Sequence, residues 1–335
     1  MTGLRPVVVA GLALAAAAIV VLVVVLVRGN GPGGTTTSTR PTSTIGTTPA
    51  PPQALPVLPA WGEFPGAPPD LAVPAGGAAA IAPAPGGRSV TLQRADGSPA
   101  AVVTLGPGGA ALDARYFDRS GRLTVVVSAL RAAPAGGAGT RPRVRCGSAA
   151  RADAGFRWTR FPVRWRLSTG PPPRGLQRGA TLLAIRRARG VWNATRSHCP
   201  GLRDLSRARF AFAGSSPRRL GRDGVSVVDV GDIDRLGGIC PGAVACTITW
   251  IAGGNRATES DARVERSDPG GFSTARRPGP RKLDLQTVMV HESGHTLGFA
   301  HVAAKDVVMN PIVRRGDVSG RLLGRGDALA SNAKY

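Results

Sequence analysis

The chain predicts an α+β fold, and three observations carry that expectation. Phe161, Val163, Trp165 and Leu167 alternate with Arg164, Arg166 and Ser168, the two-residue period of a half-buried strand. Leu182, Ile185, Ala188, Trp192 and Thr195 then recur at helical spacing, so they form one apolar stripe with Arg186, Arg187 and Arg189 facing out. Past them, the segments 207–213, 225–230, 244–251 and 261–265 read as four more strands. A second helix is expected from about Leu285, with Asp284 placed to accept from its free N–H groups. Gly326 to Tyr335 reads as a short closing helix.

The N-terminal third has a different character. Val7 to Val27 is an apolar run of 21 residues broken only by Gly11. As a helix it reaches about 31 Å, enough to cross a bilayer core. The reading is a cytoplasmic tail over 1–6 and a transmembrane signal anchor over 7–27. A cleaved signal peptide is the rival, although Val27-Arg28-Gly29-Asn30 is not a small-x-small cleavage site. Residues 28–87 are dense in Pro, Thr, Gly and Ala and bury too little apolar surface to offset their ordering entropy, so a disordered linker is expected. Residues 88–140 alternate β-like runs with turns such as Asp96-Gly97. They read as a small β-rich module or a pro-region, ahead of a main domain over 141–335.

The formal charge of +23 raises nucleic acid as a partner. The sequence argues against it. Of 43 basic residues only Lys282, Lys305 and Lys334 are lysines, the arginines are scattered, and aromatic residues are few. Cysteines number four: Cys146, Cys199, Cys240 and Cys246. In a chain expected to leave the cytoplasm, two disulfides are the default. Cys240 and Cys246 close a small loop easily, which leaves Cys146 for Cys199; the other two pairings stay open.

The chemistry concentrates in eleven residues, His291-Glu292-Ser293-Gly294-His295-Thr296-Leu297-Gly298-Phe299-Ala300-His301. Positions i and i+4 share a helix face, so His291 and His295 offer two imidazoles to one metal. Glu292 sits about 100° round the helix, close enough to hold a metal-bound water without being a ligand. Gly298 lets the chain leave the helix through a left-handed turn, and the chain returns with His301 as a third ligand. Three nitrogen ligands with an open fourth position is the pattern of a catalytic zinc. Met309 follows in Val308-Met309-Asn310-Pro311.

The extended histidine motif followed by a Met-turn resembles the metzincin metallopeptidases, and the short spacing to Met309 resembles their matrixin branch. The resemblance covers roughly Phe156 to Tyr335. It implies a twisted five-stranded mixed sheet with two long helices and a short C-terminal helix. Met309 becomes an apolar floor under the histidines. The fourth strand becomes the sheet edge on which substrate lies, through Thr247, Ile248 and Thr249. A second, structural zinc has no ligands here, since only His198 remains. Calcium is without support, because Asp229, Asp232 and Asp234 read as a solvated acidic turn. Arg145-Cys146-Gly147 also resembles part of the matrixin cysteine switch, so Cys146 has a second expected fate, as a zinc-blocking thiolate.

The expectation is therefore a zinc-dependent endopeptidase holding one Zn2+, a monomer acting on protein or peptide substrates outside the cell membrane. Glu292 is its general base. The alternatives are a catalytically silent envelope-anchored module and a nonproteolytic zinc hydrolase.

Overall fold

The computed structural model describes residues 79–84, 87–94, 96–106, 111–133, 146–234, 236 and 240–335. The run Val7 to Val27 lies outside the described residues, among which no helix is long and apolar enough to cross a membrane. Five strands open the described chain: β1 (Ala79–Ala84), β2 (Gly87–Gln93), β3 (Pro99–Leu105), β4 (Ala111–Phe117) and β5 (Leu123–Ala132). Each pairs antiparallel with the next. The β2–β3 and β4–β5 turns use local carboxylates. Asp96 Oδ1 accepts the Ser98 N–H, and Asp118 Oδ1 accepts those of Ser120 and Arg122, ahead of and beyond the left-handed Gly121.

The main domain continues with β6 (Val163–Ser168), α1 (Arg178–Asn193), β7 (Phe210–Ser216), β8 (Val227–Gly231), β9 (Ala245–Ala252) and β10 (Arg256–Glu265). The short pair β11 (Phe272–Ser273) and β12 (Leu283–Asp284) leads into α2 (Leu285–Thr296), β13 (Ile312–Val313) and α3 (Arg325–Lys334). In space the sheet runs β1-β2-β3-β4-β5-β9-β10-β8-β6-β7, with β13 also paired to β5. The expected mixed five-stranded sheet is its second half, β9-β10-β8-β6-β7. There β6, β7, β8 and β10 form parallel pairs and β9 is antiparallel.

Where that half-sheet was expected to end, it does not. Strand β9 is hydrogen-bonded to β10 on one side and to β5 on the other, so Thr247, Ile248 and Thr249 are not an edge. The physical reason lies in the run Val125-Val126-Val127. Its alternate members Val125 and Val127, with Ala129, share one buried cluster with Cys246, Ile248 and Trp250. An open edge exposes unpaired backbone groups, and β5 satisfies them. The β-rich segment is thus continuous with the main sheet, and its first strand begins at Ala79, inside the expected linker 28–87. Backbone pairing to β2 organises Ala79–Ala84 despite a composition that reads as unstructured.

Helices α1 and α2 lie against each other, locked by Trp192, whose Nε1 donates to the Val290 carbonyl at 2.8 Å. Helix α1 ends at Asn193, before Thr195, which takes a left-handed backbone (φ 41°). Of the arginines expected to face out, Arg189 turns inward. It is only 2% exposed, and its guanidinium lies 4.5 Å from the Trp165 ring and 4.7 Å from the Phe210 ring. Two aromatic faces replace the solvent that the helical stripe alone would have assigned to it. Asp229 is another reversal: it is fully buried and ion-paired to Arg263 and Arg219. Its position inside β8, between two arginines, explains the difference from a solvated turn.

Candidate metal centre

Helix α2 begins where sequence placed it. The Asp284 carboxylate accepts the Thr287 N–H at 2.9 Å, satisfying one of the helix's free donors. Two turns on, His291 and His295 project from one face with their Nε2 atoms 2.8 Å apart. Gly298 ends the helix at φ +84°, and a Cβ there would lie 2.6 Å from the Phe156 carbonyl oxygen. Only glycine meets both conditions. The chain then turns back and sets His301 Nε2 3.0 Å from that of His291 and 3.1 Å from that of His295.

The far ring nitrogens are held as well. His291 Nδ1 faces the Val308 carbonyl at 2.7 Å, and His295 Nδ1 faces the Phe299 carbonyl at 2.8 Å. A carbonyl partner requires Nδ1 to carry the proton, which leaves the Nε2 lone pair free for a metal. All three rings are buried, at 2%, 3% and 6% exposed. Burial favours the neutral imidazole: it pulls His291 well below its ordinary pKa and takes His295, with help from His301, down to about 3. Neutral, preoriented imidazoles are what metal binding needs.

Glu292 is wholly buried beside them. Burial pushes its carboxyl up to about 8, against the opposing pull of the Thr247 hydroxyl. That hydroxyl donates to Oε2 at 2.5 Å, while Oε1 has no hydrogen-bond partner. A buried oxygen without a partner is costly. One oxygen is therefore held by Thr247 of β9, and the other is left without a hydrogen-bond partner.

Met309 packs under the helix in the main core cluster. Its backbone is set from α3, since the Asp327 carboxylate accepts the Val308 N–H at 2.7 Å and the Met309 N–H at 3.3 Å. Gly294 completes the contact: a Cβ there would collide with Met309 Sδ and lie 2.9 Å from a Trp192 ring carbon. Ala is about 1 kcal/mol better than Gly inside a helix, but overpacking a filled core costs about 1–3 kcal/mol. Gly294→Ala should therefore lower thermal stability by a few degrees and loosen zinc retention. A melt and a chelator competition would check it; a variant that melts higher and holds metal equally well would show that the floor has slack.

The donor set fits a zinc ion: three imidazole nitrogens converge and are gathered into one potential metal group, with an unpartnered carboxylate oxygen alongside. Residues 229–333 match the family model of the matrixin peptidases. That match and the three-histidine group fit a matrixin-like metzincin catalytic domain. No curated protein matches the chain in sequence. The matrixin family and the three-histidine group together support a zinc metallopeptidase.

Other expected residues fall as follows. Cys146 is bonded to Cys199 and Cys240 to Cys246, so no thiol is left among the described residues for a switch. His198 stands apart, with Nε2 3.2 Å from the Ser319 carbonyl. Three contributors to the matrixin-like centre were not singled out as such in sequence. Asp327 and the Thr247 hydroxyl are reached only through tertiary contacts. Asp113 is the third. Its one sequence signal is an acid within the otherwise apolar run Ala111-Leu112-Asp113-Ala114.

Proposed function

We propose that the protein is a zinc-dependent endopeptidase, held at the outer face of a cell membrane by Val7 to Val27, that cleaves protein or peptide substrates. The observation that carries this reading is the convergence of three Nε2 atoms beside the unpartnered Glu292 Oε1. His291, His295 and His301 would hold the ion. When bound, zinc supplies a polarised substrate carbonyl and a water acidified toward neutrality. Glu292 then acts as general base: Oε1 takes the proton of the attacking water and hands it to the departing amine nitrogen. Thr247 keeps Oε2 occupied throughout, so the base presents one oxygen in one direction.

A specific observation supports a second reading. With β9 paired on both sides, substrate does not add to it as a further strand in this arrangement. A catalytically silent or nonproteolytic zinc module would account for a covered strand. Purified protein with one zinc per chain, tested on a peptide library with and without chelator, decides between them. Chelator-sensitive cleavage is expected. Tightly held zinc with no cleavage would favour the second reading, and two tightly held zincs would count against the ligand assignment.

A further inference from the structure

Asp113, on β4, lies far from the family-matched segment in sequence and against the metal centre in space. Its carboxylate makes three contacts. Oδ1 is 3.0 Å from His301 Nδ1, Oδ2 accepts the His301 backbone N–H at 3.2 Å, and Oδ1 accepts the Ser128 hydroxyl at 2.6 Å. The other two histidines rest on main-chain carbonyls. His301 alone faces a carboxylate, and it alone lies off the helix, on a returning loop.

The sheet register explains how β4 reaches the centre. Asp113 is opposite Ser128 on β5, and Ser128 is opposite Thr247 on β9. Cross-strand partners point to the same face, so the three form one polar row across three strands. One end of the row meets His301 through Asp113. The other meets Glu292 through the Thr247 hydroxyl. The two residues that flank Ser128 on β5, Val127 and Ala129, turn to the opposite, apolar face. Polar groups are thus placed on this row where ligand and base need them.

We propose that Asp113 is a positioning residue of the metal centre, fixing the tautomer and orientation of His301. Strands β1 to β5 thereby complete the site, and are not a detachable cover over it. The inference rests on the zinc reading above. A carboxylate on the far nitrogen of a ligating histidine keeps the proton on Nδ1 and raises the donor strength of Nε2. The contact to the His301 N–H fixes the loop as well as the ring.

The test uses the full chain and zinc affinity measured against a chromophoric chelator. Absorption of the Co2+-substituted protein reads ligand geometry directly. Asp113→Ala should weaken zinc binding by about 10–100-fold and shift the Co2+ bands. Asp113→Asn keeps the shape and an acceptor but not the charge, so it should recover part of the loss. Ser128→Ala, which removes only the hydroxyl that anchors Oδ1, should weaken binding less than Asp113→Ala. If Asp113→Ala does not fold, the Asn and Ser128 variants decide. Wild-type affinity and an unchanged Co2+ spectrum in Asp113→Asn, together with either alanine variant, would overturn the proposal while leaving the zinc reading intact. Failure of the unmodified chain to bind zinc would overturn both.

Discussion

Replacing Glu292 by Gln is expected to reduce peptide hydrolysis by about 10²–10⁴-fold, the usual contribution of a positioned general base, with zinc content unchanged. Geometry separates the two readouts. Glu292 lies outside the three-nitrogen donor set, so metal has no direct reason to leave. The Thr247 hydroxyl that now donates to Oε2 finds an equivalent acceptor in the Gln amide oxygen, so the side chain keeps its place. What is lost is the oxygen without a partner, which becomes an amide nitrogen unable to take a proton. His295→Ala is the necessary companion. It removes one of three converging nitrogens and should abolish both metal and activity. Metal analysis beside a cleavage assay checks the pair. Near-wild-type turnover in Glu292→Gln would remove the base from the mechanism, and retained zinc in His295→Ala would remove the ligand.

Converting both Cys146 and Cys199 to Ser should cost about 4 kcal/mol of stability, from the loop entropy that the bond withholds from the unfolded chain. The bond joins residues 53 positions apart, which is long enough for this term to be large. For a domain of this size the melting temperature should fall by roughly 10 °C. Activity at low temperature should stay the same, because the bonded sulfurs take no part in the histidine group. A cysteine switch predicts the opposite pattern, a rise in activity with little loss of stability. Parallel melts and rates therefore distinguish the two fates that the sequence left open. Loss of Cys240–Cys246 should cost less, since it closes a loop of only 6 positions.

The histidine motif was legible because its geometry is local. His291, Glu292 and His295 are related by helical spacing, and Gly298 is demanded by the turn that follows. Asp284 as cap, Met309 as floor and the run of strands from β6 to β10 were also readable, since each is written in a few consecutive residues. Element ends moved where packing decided them. Helix α1 stops before Thr195, and β10 begins at Arg256, upstream of its expected start.

Other features had no local signature. Arg189 is spaced like a solvent-facing residue, and only the rings of Trp165 and Phe210 make its burial tolerable. The strand β9 alternates as an edge or an interior strand would. Its place was decided by β5, which lies more than a hundred residues earlier in the chain. The same holds for Asp113, which reaches His301 across 188 positions. Sequence by itself determined the candidate ligands, the candidate base and the resemblance to the matrixins, because metal chemistry constrains residue type and spacing within a single helix and turn. Tertiary structure alone decided that β1 to β5 join the main sheet, that β9 is covered, and that a carboxylate from β4 backs the third histidine. Hydrogen-bond pairing between strands and burial of shared apolar faces depend on partners far apart in the chain, and no local period encodes them.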